Sequence, residues 1–387
     1  MKKKLVIIGA NDFQNQLILK AKGMGYETHV FAWQCGDVGE KTADFFYPIS
    51  IVEKEQILEK CREIKPAGVI SIASDLASVT VNYVAEQLGL VCNGMHSAMI
   101  STNKHMMRNV FEEHHLPSPK SILVTGEHLP QLPEDMRYPL IVKPTDRSGS
   151  RGIFKIEKYE QLESAIEKAR AESFEKNVLI EEFAEGNEYS VEYISWEGVH
   201  HFLTVTRKFT TGAPNFIETA HLQPANNLSE QVIEKIRAVI PRALDALGVR
   251  YGASHSEVKI DQNGELRIIE IGARMGGDCI GSDLVRLSTG YDFVKMVIDV
   301  ACGQAPNFDE REEGGYASIH FVFSKEDLSK LDWVKENYPD CLVRISQMEP
   351  IDGHTVTDSS SRYGYYLLAS KDKNDIEKIV GEICGAC

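Results

Sequence analysis

Nowhere in the 387 residues does an apolar run approach the ~18 that a membrane span needs. Basic charge is in short supply. Lys and Arg number 42 against 57 Asp and Glu, a formal net charge of −15. That balance argues against a broad nucleic-acid or anionic-membrane surface and leaves only local basic sites. Cysteine is sparse and scattered, at Cys35, Cys61, Cys92, Cys279, Cys302, Cys341, Cys384 and Cys387. No Cys-x-x-Cys pair has the partner pair a zinc site requires, and Cys384-Gly-Ala-Cys387 lies at the extreme end of the chain. Free thiols of this kind fit a reducing compartment, and the expected location is cytoplasmic. The P-loop spacing Gly-x-x-x-x-Gly-Lys-Ser/Thr is missing, as is the full three-glycine dinucleotide fingerprint with its acidic partner. There is no internal repeat and no low-complexity segment.

What is present is a globular composition, 43% hydrophobic and 26% charged. The length exceeds what one core supports, so several lobes are expected. The opening Met1-Lys2-Lys3-Lys4 and the apolar run behind it superficially resemble a signal peptide. The run is short and breaks at Gly9-Ala10-Asn11-Asp12, so it reads as a strand over Lys4 to Ile8. A helical pattern follows to Lys22, then strands at Thr28 to Ala32 and Gly68 to Ile72, and helices at Glu53 to Ile64 and Leu76 to Leu88. Strand and helix in alternation with short links predict a parallel sheet. Gly9-Ala10-Asn11 and Ser74-Asp75 stand at strand carboxyl edges, where such sheets take ligands, although Ser-Asp is also a plain helix cap.

From Ser101 to His115 the pattern is helical, with Lys104 in the first turn against the helix dipole. Pro139 to Ile156 reads as a strand ending at Lys143, a small-residue loop over Asp146 to Gly152, and a returning strand. Such a loop can turn its N–H groups inward as an anion nest, with Lys143 adding fixed positive charge. Asn177 to Ile194 gives strands joined by an acidic link carrying Glu181, Glu182, Glu185 and Glu188.

The stretch from Gly252 to Gly277 is read as a hairpin. His255 to Ile260 and Glu265 to Ile271 flank Asn263-Gly264, a two-residue type I′ turn signal. Counting from that turn sets Ile260 opposite Arg267 and Glu257 opposite Glu270. Facing carboxylates sit with Cβ atoms roughly 4.5–5.5 Å apart and destabilise the pair. Either one has a raised pKa, or a hard divalent cation lies between them.

A Lys at a helix start, a Val-Lys-Pro strand with a Ser/Gly loop, Glu-Glu-Phe-x-x-Gly-x-Glu, and then Glu … Glu-x-x-x-Arg occur here in that order. The ordered set resembles the ATP-grasp superfamily over about residues 1 to 315. The resemblance implies a multi-lobe α/β and α+β chain. Its parts are a Rossmann-like domain over 1–98, a small lobe with the phosphate lid over 99–184, a large lobe with the metal site over 185–314, and a small α+β lobe over 315–387. It implies ATP clamped between two lobes. Lys104 and Lys143 would contact the α and β phosphates, and Ser148, Gly149, Ser150, Arg151 and Gly152 would form the lid. Glu181 and the backbone of Glu182, Phe183 and Ala184 would hold adenine, and Glu188 the ribose. Glu257 and Glu270 would bind Mg²⁺, or Mn²⁺ in its place, and Arg274 would steady the γ-phosphate or an acyl phosphate. The family usually has Asn two residues after the second glutamate; Gly272 stands there, without a ligand oxygen.

Within the superfamily, the stretch from Thr204 to Pro224, His255-Ser256-Glu257 and Arg274-Met275-Gly276-Gly277 look most like the L-amino-acid ligase and carbamoyl-phosphate-synthetase branch. That places an acceptor pocket near Arg207, Glu218 and His221. Arg207 would take a carboxylate, Glu218 an amine, and His221 the amine proton, with Gly276 and Gly277 donating N–H groups to an oxyanion. The implied activity is carboxylate–amine ligation through an acyl phosphate, with small-molecule substrates, neither nucleic acid nor membrane as partner, and a homodimer left open. A bicarbonate-activating or glycinamide-ribonucleotide-type enzyme, and an ATP-binding module without turnover, are the alternatives.

Overall fold

The computed structural model describes residues 2–126 and 129–385, so Cys387 lies outside the described residues. Its first sheet is parallel in the order β3-β2-β1-β4, with β1 Lys4–Ile8, β2 Glu27–Phe31, β3 Phe45–Tyr47 and β4 Gly68–Ile70. The edge strand β3 went unread because three residues carry no periodicity. Asn11 caps the helix Asp12–Gly23, its Oδ1 accepting the Phe13 N–H at 3.0 Å, while Gln14 returns a bond to the Asn11 N–H at 3.2 Å. Ser74 likewise caps the helix Asp75–Gln87, accepting from the Ala77 N–H at 3.2 Å.

The second sheet is antiparallel in the order β5-β8-β6-β7, with β5 Ser121–Val124, β6 Leu140–Pro144, β7 Phe154–Ile156 and β8 Val178–Glu182. The helix expected from Ser101 is two helices, Gly94–Thr102 and Lys104–Glu113. Asn103 interrupts them in an extended conformation and caps the second through the N–H groups of His105 and Met106. Lys104 is therefore the first residue of a new helix.

The third sheet has eight antiparallel strands in the order β13-β12-β9-β10-β11-β14-β16-β15. They are β9 Asn187–Trp196, β10 Val199–Thr210, β11 Glu218–Gln223, β12 Gly252–Ile260, β13 Leu266–Gly272, β14 Tyr316–Val322, β15 Leu342–Ile345 and β16 Gly364–Ser370. Residues beyond 315 extend this same sheet, so the boundary expected there falls inside one hydrogen-bonded layer. The stretch after β10 forms a further strand, β11, paired antiparallel with β10 and β14.

One core cluster joins Leu5 and Ile7 of the first sheet to Ile194 and Ala253 of the third through the helix Phe293–Ala301, which buries Phe293, Val297, Ile298 and Val300. Each buried aliphatic side chain contributes about 1.5–3 kcal/mol, so this shared core fixes the N-terminal sheet against the large one. On the far side, the helix Glu230–Ala246 packs Ile236, Ile240, Ala243 and Leu244 against Leu266, Ile268 and Ile271. Among the described residues no helix is long and apolar enough to cross a membrane.

Candidate active site

The β12–β13 hairpin brings Glu257 opposite Glu270, but not by the expected route. Its loop is one residue longer than a type I′ turn. The Asp261 N–H reaches the Glu265 carbonyl at 3.1 Å, and Gly264, at φ 75°, closes on Asp261. Ile260 consequently pairs with Leu266, and a bulge between Glu257 and Val258 restores the count by leaving Ile269 over. The bulge has a packing cause. Strict alternation would send Glu270 into the core with Leu266 and Ile268. The extra residue instead keeps Leu266, Ile268 and Ile271 together against the helix Glu230–Ala246 and turns Ile269 and Glu270 toward an open cleft.

That cleft has a cavity volume of about 180 Å³. Its apolar wall is Ile141, Ile153, Phe183, Ala184, Phe216 and Ile269. Lys155 and Lys259 flank the Phe183 ring at 4.6 and 4.7 Å from its centroid. Ser148, Gly149 and Ser150 form the rim, with positive φ at Gly149, Ser150 and Gly152, and the Ser150 hydroxyl donates to the Phe216 carbonyl at 3.0 Å.

At the positive end, Lys104 Nζ donates to Glu270 at 2.9 Å and to the Arg147 carbonyl at 2.7 Å. Burial disfavours its charge, but Glu270, Asp75 and Glu257 outweigh burial and raise its pKa. Lys143 is paired with Glu181, whose other oxygen takes Arg108 at 3.0 and 3.2 Å. Burial is the largest influence on Lys143. Arg108 and Lys104 add to it, Glu181 opposes it, and the pKa falls below the usual lysine value. Arg274 is bound by Asp75, with Nε to Oδ1 at 2.8 Å.

The other end is acidic around one lysine. Lys208 Nζ lies 2.7 Å from Glu257, 2.8 Å from Glu188 and 3.5 Å from Glu218, with its side chain only 2% exposed. Burial lowers the pKa of this lysine, yet the three carboxylates lift it well above the ordinary value. Burial likewise raises that of Glu257, but Lys208 and His255 override it and hold the carboxyl far down. The His255 ring donates or accepts through Nδ1 with Glu192 at 2.5 Å; burial is outweighed by Glu192 and Glu257, and its pKa rises to about 9. A second bulge aims Glu218. It falls between Phe209 and Thr210 and leaves Thr219 over, so Glu218 shares the Lys208 face.

Of the residues singled out from sequence, Lys104, Lys143, Ser148, Gly149, Ser150, Glu181, Phe183, Ala184, Glu188, Glu218, Glu257, Glu270 and Arg274 line this one cleft. Of these, Glu181 is spent on Lys143 and Arg108. Others do not line it: the Glu182 carboxylate accepts from the Arg137 N–H at 2.9 Å, outside the cleft. The backbone N–H groups of Glu182 and Phe183 already bond the carbonyls of Lys120 and Pro139. Arg151 and Gly152 lie beyond the rim. Arg207 neighbours Lys208 in an unbroken part of β10, so it projects from the opposite face of the sheet, where it covers Phe209 at 4.5 Å. His221 pairs across strands with Lys208, but Asp278 at 3.6 Å and Phe321 enclose it, and Arg362 closes over both. Gly276 backs His255, with room for a Cβ only 2.6 Å from Nδ1, and neither it nor Gly277 lines the cleft. Not singled out were Arg108, Glu192 and Lys208, which reach the site from a helix and two strands with no local motif, and Arg147, which lies within the small-residue loop.

The donor chemistry at Glu257 and Glu270 fits a hard divalent ion. Among the described residues no group of three His, Cys, Asp or Glu side chains is clustered to hold a metal alone. Two carboxylates completed by substrate phosphate oxygens are the arrangement Mg²⁺ favours.

Residues 136–283 match the ATP-grasp domain family. The chain is 28% identical over 298 residues to the alanine–anticapsin ligase of Bacillus subtilis (strain 168), a match covering 69% of this chain and 63% of that one. It therefore spans less than two thirds of that relative's length. Among solved structures, the L-amino acid ligase from Bacillus licheniformis superposes with a TM-score of 0.83 at 22% identity, covering 99% of this chain and 97% of the other. Phosphoribosylglycinamide synthetase from Anaerococcus prevotii gives 0.78 at 18% identity, covering 99% and 98%. Likeness at these identities is one of fold.

Proposed function

We propose, from the premise that this chain carries an ATP-grasp domain, that it is an ATP-dependent carboxylate–amine ligase with an amino acid among its substrates. The observation that carries the reading is the Glu257–Glu270 pair, set in one cleft with Lys104, Lys143 and Arg274. Amino-acid ligases among the relatives support the substrate class.

A substrate carboxylate oxygen attacks the γ-phosphorus of ATP, releasing ADP and leaving an acyl phosphate. The amine nitrogen then attacks the acyl carbon, phosphate departs, and the nitrogen loses its proton. Lys104 and Lys143 hold the phosphates, the lid around Ser148 to Ser150 excludes water, and Arg274 meets the charge that moves. The apolar wall at Phe183 and Ile269 receives the base, with Glu188 near the ribose. Glu257 and Glu270 hold Mg²⁺, or Mn²⁺, which when bound supplies charge neutralisation at the phosphoryl oxygens. His221 is walled off by Asp278 and Arg362, so it does not serve the amine. His255 faces the cleft as a cation, with a pKa near 9, which suits an anion rather than a proton acceptor. Glu218, at the acidic end, suits an ammonium group.

Phosphate release is measured with ATP and Mg²⁺ against pools of amino acids, hydroxy acids and bicarbonate. Release that requires an amino acid is expected, and Glu270→Gln is expected to lower it by about 100-fold. Bicarbonate-dependent ADP formation without an amino acid would replace this reading with a bicarbonate-activating one. Nucleotide binding with no release in any pool would leave a binding module.

A further inference from the structure

Asp75 stands outside the matched domain, yet it lines the cleft. It is the first residue of the helix Asp75–Gln87, where the helix dipole favours a carboxylate. Its two oxygens take Arg274 side-on, Nε to Oδ1 at 2.8 Å and Nη2 to Oδ2 at 3.3 Å. Arg274 Nη1 donates to the Met275 carbonyl at 3.2 Å, and the same carbonyl accepts the Ala73 N–H at 3.2 Å. Backbone and side chain thus clamp the two segments together at one point.

A guanidinium has five N–H donors in a rigid plane. Three are taken here, one each from Nε, Nη1 and Nη2. One N–H remains on each terminal nitrogen, two donors that oxygens of a phosphoryl or carboxylate group can take. Gly272 makes the posture available. A Cβ there would stand 3.2 Å from Arg274 Cζ, 3.3 Å from Nε and 3.4 Å from Nη2, tight enough to push the guanidinium off.

We propose that Asp75 is a positioning residue: it reaches across from the N-terminal domain to fix the Arg274 guanidinium over Gly272, with its two remaining donors presented to the terminal phosphoryl group in the cleft. This rests on the ligase reading. It goes further in making the N-terminal domain part of the phosphoryl site rather than a scaffold beside it. Asp75 itself touches no substrate. A free arginine side chain must lose rotamer freedom on meeting its anion, and the pair with Asp75 removes that cost beforehand.

The test uses the full chain and two probes, a β,γ-nonhydrolysable ATP analogue and ADP, each with Mg²⁺, titrated by calorimetry. Asp75→Asn is expected to weaken the triphosphate about tenfold and leave ADP unchanged. In an Arg274→Met background it is expected to add nothing. Gly272→Ala, which keeps Asp75, is expected to shift the same ratio, and it serves as the second variant should Asp75→Asn fail to fold. In turnover, KM for ATP is expected to rise in step with the weakened triphosphate binding, and kcat to fall. Equal weakening of both nucleotides, or an additive effect without Arg274, would make Asp75 merely structural and overturn the proposal. Wild-type protein that turns over, with a nucleotide ratio indifferent to Asp75→Asn and Gly272→Ala, overturns this proposal alone. Wild-type protein that binds neither nucleotide overturns the ligase reading along with it.

Discussion

Two buried lysines at opposite ends of one cleft are driven in opposite directions. Burial lowers the pKa of Lys143, and its one carboxylate, Glu181, shared with Arg108 and opposed by Lys104, does not restore it. Lys208 has Glu188, Glu218 and Glu257 around it, so negative charge is in excess and its pKa climbs. Both side chains are almost wholly buried. Burial acts on them alike, and the ratio of charged neighbours decides the sign. One end of the cleft therefore carries an excess of positive charge and the other an excess of negative charge.

The contrast breaks most severely at Lys208. Lys208→Met leaves three carboxylates without their shared cation, and a loss of about 3 kcal/mol is expected in urea unfolding. Mg²⁺ is expected to raise the unfolding midpoint more in this variant than in the wild type, because a divalent cation can replace the missing charge. An equal response in both proteins would count against a cation site at this end.

The positive end is expected to show itself in pH dependence. Lys143 in the folded chain sits below its ordinary value of 10.5. Between its folded value and 10.5 the unfolded chain holds more protons, so stability from this group rises with pH through that window. Lys143→Met is expected to flatten the rise in midpoints measured from neutral to alkaline pH. An unchanged slope would mean that Glu181 balances the lysine after all.

The smallest effect is expected at Ser359→Ala. The Ser359 hydroxyl donates to Glu218 Oε2 at 2.9 Å, while Lys208 stays 3.5 Å from the other oxygen. A loss of about 1 kcal/mol or less is expected. The freed carboxylate should bind amine substrates with a changed KM and an unchanged kcat, which steady-state kinetics can separate.

The two ends also differ in how far the chain announces them. Lys104, Lys143 and the loop around Gly149 lie in local patterns, a helix start and a strand–loop–strand, that a reading of the chain can pick out. The acidic end is assembled from four strands, β9 to β12, and its central lysine carries no motif. The family resemblance singles out the adjacent Arg207 instead. Period-two geometry gives the cleft to only one of two consecutive residues, and the face is fixed by packing across the sheet.

Sequence alone determined which charged residues are available and the order in which they occur. It also determined the hairpin that brings two glutamates near each other, since adjacent strands joined by a short turn must pair. Tertiary structure decided the aim. Two bulges, a turn one residue longer than counted, the enclosure of His221 by Asp278 and Arg362, and the reach of Asp75 to Arg274 all arise from contacts between residues far apart in the chain. A bulge is placed where the core behind the strand requires it. Here Leu266, Ile268 and Ile271 must all meet one helix, and no rule confined to the strand contains that helix.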